Sequence, residues 1–367
     1  MRIALKNSAW ARHGETLAVV VDLRERIELF DPDQHAERLL SLLAAQPRTL
    51  AEIHSALEGY GVVTSPDEVK AAVAALDELG LLENADELAY ADAEQDERYV
   101  SNLAFFGLFS SVGQGRTRFQ DRLKDSHVLQ LGTGGLGSNT IQSLAGSGIG
   151  RLTLLDSDQV ELRNFARQFL YRHDQIGQPK VERAADWVRA FDPRIDVRAV
   201  TRRVTGPDDL ADLLPDVDLV VAGIDTPDAV DRWVNEACLR AGVPFVRGGM
   251  LDSRLVYFSV DPGVSACWAC MIETAGAADD LDGELRKLLT ERPRVNQGIG
   301  PAAALVGSLV AFEALRYLTR FTEPVAAGRM AVVDLRNGGV QHTEAWPRNP
   351  GCRLCAEAGL RIAATVR

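Results

Sequence analysis

The sequence predicts an α/β protein, a doubly wound and mostly parallel sheet preceded by a small α+β domain. Three observations lead there. From about residue 98 onward, apolar runs alternate with amphipathic helical stretches, the pattern of strands joined by helical crossovers. Within that region "HVLQLGTGGLGSNTIQ" reads as an apolar strand, a glycine-rich turn and a helix. At 367 residues the chain also exceeds what one core usually supports. The expected division is a first domain over residues 1–97, ending in an acidic linker, and a second over residues 98–367.

In the first domain "LAVVVDL" and "RIELF" are β-rich runs suited to a hairpin or small sheet. Three helices follow. The first holds "HAERLLSLLAAQ". The second opens with Thr49 and Glu52 at capping-box spacing, and the third with Ser65, Pro66 and Glu68. Val69, Val73, Leu76 and Leu79 fall on one face of the third helix, and Gly80 suits its C-terminal stop. A small sheet with three helices is a winged-helix-like arrangement. The helices carry few basic residues, which disfavours DNA; an extended peptide added as a strand to the sheet edge needs no such charge. The stretch Glu83 to Glu97, "ENADELAYADAEQDE", holds seven acids and no base and reads as a solvated linker.

The balance of 40 basic against 52 acidic residues, a net charge of −12, argues against a broad nucleic-acid footprint. The first residues lack the long apolar run of a signal peptide. No stretch of about 18 apolar residues stands out, so no membrane span is expected and the cytoplasm is the expected compartment. There, five cysteines favour metal ligation over disulfides. Cys267-x-x-Cys270 and Cys352-x-x-Cys355 are two knuckles that together offer Zn²⁺ a closed tetrahedral, structural site. Cys238 is left over and reads as a small buried hydrophobe.

Gly132, Gly134 and Gly137 form G-x-G-x-x-G, with Gly135 a fourth glycine in the turn. Such a turn lets backbone N–H groups approach phosphate. Asp156 ends the next apolar run, 24 residues after Gly132, where a ribose-binding acid belongs. The motif by itself favours a dinucleotide. The following text, "DSDQVELRNFARQFLYRHDQIGQPK", reverses that preference toward ATP, because it gathers Asp156, Asp158, Asn164, Arg167 and Lys180. Hydride transfer needs no such cations, whereas displacement at phosphorus does. Asp225 follows another buried strand and is placed to hold Mg²⁺ against the triphosphate; capping the next helix is its competing role.

With "GTGGLG", "LLDSDQVELRNFARQ", "GQPK" and "GIDT" in place, the chain resembles the Rossmann-like adenylyltransferases of the ubiquitin-activating superfamily, the ThiF/MoeB type. The resemblance spans roughly residues 98–355. It implies ATP-dependent carboxylate adenylation, ribose contacts from Asp156, phosphate contacts from Asn164, Arg167 and Lys180, Mg²⁺ on Asp225, the zinc site and a homodimer. Within the superfamily, "WVNEACLRAGVPFVRGGMLDSRLVYFSVDPGVSACWAC" and "CRLC" are similar to the MccB-type peptide adenylyltransferases. The N-terminal helices resemble PqqD-like precursor-peptide recognition domains. Together these imply a ribosomally made peptide as substrate. One position departs from the pattern: the family's R-Y-x-R-Q reads "RYVSN" here, with Ser101 in place of the second arginine, and Arg116 and Arg118 are candidates to replace it. The stretch Met271 to Gln297 reads as a loop or lid beside the substrate. Two other readings stay open, a sulfur-carrier-protein adenylyltransferase and a non-catalytic scaffold for leader peptides.

Overall fold

A computed structural model of the chain describes residues 1–21, 26–275 and 296–358. It forms two compact units, Met1–Arg122 and Leu123–Arg367.

In the first unit, strands β1 (Ile3–Leu5), β2 (Ser8–His13), β3 (Thr16–Val21) and β4 (Ile27–Phe30) precede helices α1 (His35–Ala45), α2 (Leu50–Gly59) and α3 (Pro66–Glu78). Strand β5 (Leu82–Asn84) and helices α4 (Ala93–Gly107) and α5 (Arg116–Asp125) follow. Strands β2, β3 and β4 make an antiparallel sheet in that order, while β1 pairs with β5. Alternation along β3 sends Leu17, Val19 and Val21 into a core with Leu40, Ile53, Val69, Val73 and Leu76. Both expected capping boxes form: Thr49 and Ser65 each accept from the backbone of the glutamate three residues on, which reaches back in turn. Leu79 departs from the expected apolar face. It is the C-cap residue of α3 and is exposed, because the buried stripe ends one turn earlier.

The acidic stretch is not a solvated linker. Glu83 and Asn84 are buried in β5, and Glu83 takes a bidentate pair from Arg116 at 2.7 and 2.8 Å. Asp92 caps α4 through Gln95 N. Glu83 and Glu87 meet cations about 30 residues away, Asp92 caps the helix that follows it, and the 97/98 position falls inside α4.

The second unit is built from β6 (His127–Leu131), α6 (Gly135–Ser147), β7 (Arg151–Asp156), α7 (Lys180–Phe191), β8 (Asp196–Thr201) and β9 (Leu219–Ala222). It continues with α8 (Val230–Ala241), β10 (Phe245–Leu251), β11 (Arg254–Val260), α9 (Trp268–Ala275), α10 (Gly300–Thr319), β12 (Met330–Asp334) and β13 (Val340–His342). One eight-stranded sheet has the order β13-β12-β11-β10-β9-β6-β7-β8. The five strands from β10 to β8 run parallel, and β11, β12 and β13 extend it antiparallel. The chain runs outward from β6 through β7 to β8, then returns to the other side of β6 as β9. The crevice between β6 and β9 is therefore the switch point at which doubly wound sheets bind ligands.

Helix α10 bears on the expectation that no apolar stretch has the length of a membrane span. It is 20 residues long with a mean hydropathy of 1.3, enough by length and composition to cross a membrane. Two thirds of it (67%) is buried within the protein, where Val306, Val310 and Ala314 face the core and the helix packs on α6.

Candidate functional site

Strand β6 leads into Gly132, whose φ of +85° side chains rarely adopt. Its N–H donates to Leu155 O at 2.7 Å and ties the turn to β7. Helix α6 then starts at Gly135, inside the glycine-rich turn. Its N-cap is Gly134 with no side-chain cap, so the first N–H groups of the helix remain available to an anion. Gly137 serves packing: a Cβ there would lie 1.9 Å from Gly132 O. Gly137→Ala is expected to push the turn open, to destabilise the unit by roughly 1–3 kcal/mol, and to weaken ATP binding. Thermal unfolding and calorimetric titration with ATP check this.

A cavity of about 580 Å³ opens at the switch point, within the range of small-molecule sites. Gly132, Gly134, Gly135, Asp156, Asp158, Arg167, Lys180 and Asp225 all line it. Asp156 accepts from Thr133 N at 2.7 Å, Thr133 Oγ1 at 2.9 Å and Asp158 N at 2.8 Å, so it joins the turns after β6 and β7. Tyr171 closes the turn from the other side, donating to Thr133 O at 2.7 Å. Burial holds its phenol protonated far above the ordinary range, with the nearby Asp156 and Asp158 charges acting in the same direction. The side chain of Arg167 packs against Gly135.

Asn164 is not on the cavity wall. It is buried, and its Oδ1 accepts from Glu161 N at 2.8 Å. Its carbonyl accepts from Arg167 N and Gln168 N, so it shapes the turn that delivers them. Asp225 caps no helix, because α8 begins at Val230 with Ala229 as its uncapped N-cap. It is exposed, without a hydrogen-bond or ion-pair partner among the described residues.

The cavity's cations divide by partner. Lys180, at the start of α7 and nearly buried, pairs with Asp158 at 2.9 Å. Arg202 pairs with Asp212 and Arg247 with Asp231, both at 2.6 Å. Arg167 and Arg203 have no acid partner among the described residues. Among the described residues, Arg167 and Arg203 thus offer the cavity positive groups without carboxylate partners, while Asp156 and Asp225 offer it carboxylates without cation partners.

In the same unit, the buried thiols of Cys267, Cys270, Cys352 and Cys355 lie within 4.8 Å of one another. Their Sγ separations are 3.8 Å for Cys267–Cys270 and Cys267–Cys352 and 3.6 Å for Cys270–Cys355. A tetrahedron with zinc–sulfur bonds of about 2.3 Å has edges of about 3.8 Å. The donor set and spacing fit Zn²⁺. Cys238 stands apart, fully buried in α8, where burial raises its thiol far above the ordinary range.

The ThiF family model matches residues 100–354. The chain belongs to the ThiF family. Molybdopterin-synthase adenylyltransferase of Escherichia coli strain K12 is 34% identical over 241 residues, which is 65% of this chain and 90% of that protein. E. coli MccB solved with ATP superposes with a TM-score of 0.76 over 97% of this chain and 100% of that one, at 21% identity. MccB in complex with N-formylated MccA, described as a microcin C7 biosynthetic enzyme, gives 0.72 over the same shares and the same identity. These structures share the fold.

Both arginines offered in place of the one absent at Ser101 have acid partners. Arg116 is held by Glu83, and Arg118 pairs with Glu87 at 3.0 Å, both within their own unit. Sequence reading missed the cavity wall formed by Arg202, Arg203, Val204 and Thr205 after β8, and by Trp233, Arg247 and the first residues of α10. The doublet Arg202-Arg203 directly after the β-rich "DVRAVT" was the available signal. Most of the stretch read as a lid, residues 276–295, lies outside the described residues; Asn296 beyond it lines the cavity.

Proposed function

We propose that this chain is an ATP-dependent adenylyltransferase that activates the carboxylate of a ribosomally made peptide and releases pyrophosphate. One observation carries the reading. An uncapped helix N-terminus, Arg167 without an acid partner, buried Lys180 and unpartnered Asp225 converge on a single cavity at the switch point.

In this reaction a carboxylate oxygen attacks the α-phosphorus, the bond from that phosphorus to the bridging oxygen breaks, and the electron pair leaves with pyrophosphate. The carboxylate is already ionised, so the protein removes no proton. Its residues position and neutralise. The N–H groups of the glycine turn cradle the phosphates, and Arg167 and Lys180 balance their charge. Asp156, anchored by three hydrogen bonds, presents its remaining lone pairs to the ribose hydroxyls. An exposed carboxylate suits a hard cation, so Asp225 would hold Mg²⁺, which when bound draws charge from the phosphate oxygens. The four cysteines would hold one structural Zn²⁺, linking the start of α9 to the segment after Gly351.

The likeness to MccB supports a peptide substrate, because it extends over the N-terminal unit, whereas the molybdopterin-synthase adenylyltransferase match covers 65% of the chain. In that unit β2 and β4 are the outer strands of their sheet, available to an added strand. The homodimer is supported by α10, which exposes Leu305 and Phe312 two turns apart on one face. The 34% identity to an adenylyltransferase named for molybdopterin synthase favours the second reading, a small carrier protein as substrate. ATP–pyrophosphate exchange separates the two. Candidate precursor peptides with a free C-terminal carboxylate are expected to stimulate exchange, while carrier proteins ending in Gly-Gly are not. Stimulation by the carrier alone would overturn the peptide reading, and no exchange with either would favour a scaffold.

A further inference from the structure

The order of strands along the sheet edge gives a bound nucleotide a direction. The glycine turn follows β6, Asp156 ends β7, and β8 lies on the far side of β7, with Asp156 and Thr201 as register partners. On the nucleotide reading proposed above, the phosphates occupy the turn and the ribose lies at Asp156. The base then extends toward the residues that leave β8.

Four such residues, Arg202 to Thr205, line the cavity. Arg202 is committed elsewhere: Asp212 takes it at 2.6 and 3.0 Å and Asp209 O at 2.7 Å. Val204 is buried in an apolar cluster against which Ile224 and Trp233 pack, and both of these also line the cavity. Arg203 is exposed on the cavity wall, with no acid, hydrogen-bond or aromatic partner among the described residues. Arg167 also lacks an acid partner among the described residues, but it donates to Arg163 O and packs on Gly135 at the glycine turn. Arg203 sits beyond the ribose acid, where a nucleotide presents a flat ring and no charge. A guanidinium beside an apolar wall holds such a ring by stacking and cation–π attraction.

We infer that Arg203 clamps the nucleotide base, lying over the purine ring beside the wall of Val204, Ile224 and Trp233 and favouring ATP over a pyrimidine triphosphate. The inference rests on the nucleotide reading and adds the residue that selects the base.

Calorimetric titration of the full chain with ATP and with CTP tests it. The wild type is expected to bind ATP more tightly than CTP. Arg203→Ala should weaken ATP by about tenfold and CTP far less, so that the preference collapses at an unchanged melting temperature. Arg203→Lys keeps the charge and a cation–π contact but not the planar face, and should fall between the wild type and Arg203→Ala. Unchanged ATP affinity in Arg203→Ala would overturn the assignment. Equal weakening of ATP and CTP would also overturn it, by assigning Arg203 to the triphosphate. A wild type that binds neither nucleotide would overturn the nucleotide reading itself, a result distinct from the other two.

Discussion

Asp225→Ala is expected to leave the protein folded and to lower peptide-dependent ATP–pyrophosphate exchange by about 10²- to 10³-fold, the usual cost of removing one group that balances transition-state charge. The fold should survive because Asp225 is exposed, caps no helix and has no partner among the described residues to lose. Asp225→Asn keeps the shape and should lose nearly as much, since a neutral oxygen is a poor ligand for a hard cation. Lys180→Ala should reduce exchange comparably but with a stability cost. It removes a nearly buried ammonium and leaves Asp158, itself mostly exposed, without its 2.9 Å partner. Pairing the melting temperature with the exchange rate separates the two variants: Asp225→Ala should shift the rate alone, and Lys180→Ala both. Wild-type exchange in Asp225→Ala would remove the metal-holding role from that residue.

Replacing Cys352 and Cys355 together with serine is expected to reduce zinc from about one per chain to near zero and to destabilise the second unit. The physical reason is the crowding of four buried sulfurs within 4.8 Å. As thiolates they repel one another unless a cation neutralises them, and metal affinity at such a site becomes folding free energy. A loss of about 5 kcal/mol, a fraction of the affinities of structural zinc sites, corresponds to a fall in melting temperature on the order of 10–20 °C at about 2–4 °C per kcal/mol. Strong chelation of the wild type should reproduce the direction of the change. Full zinc occupancy in the double variant, measured by elemental analysis, would refute the site.

Features carried by neighbours in sequence were legible before the fold was known. Thr49 with Glu52 and Ser65 with Glu68 are three residues apart, so the capping boxes need nothing beyond the local turn. The glycine turn, the apolar run before it and Asp156 at the end of the next strand are likewise local, and so is each C-x-x-C knuckle. Features that depend on distant partners were legible in kind but not in place. Glu83 looked solvated because its partner Arg116 is 33 residues away, and "GQGRTRF" offered Arg116 and Arg118 as free cations for the same reason.

Sequence by itself therefore determined the α/β class, the glycine-rich turn between strand and helix and the residue types of both candidate sites, because periodicity and short-range spacing encode them. Only the tertiary structure decided which side chains face the cavity. Asn164 and Arg167 are three residues apart in one motif, yet the hydrogen bond from Glu161 N draws Asn164 inward while Arg167 reaches the glycine turn. Only the fold brought Cys267 within 3.8 Å of Cys352, 85 residues on, and set Arg203 on the same wall as Trp233. It also decided the fate of α10, whose composition suits a bilayer as well as a core; packing against α6 buries its apolar face within the protein. Residue chemistry is written locally, whereas direction and partnership are set when separate elements compete to bury apolar surface and to satisfy each other's polar groups.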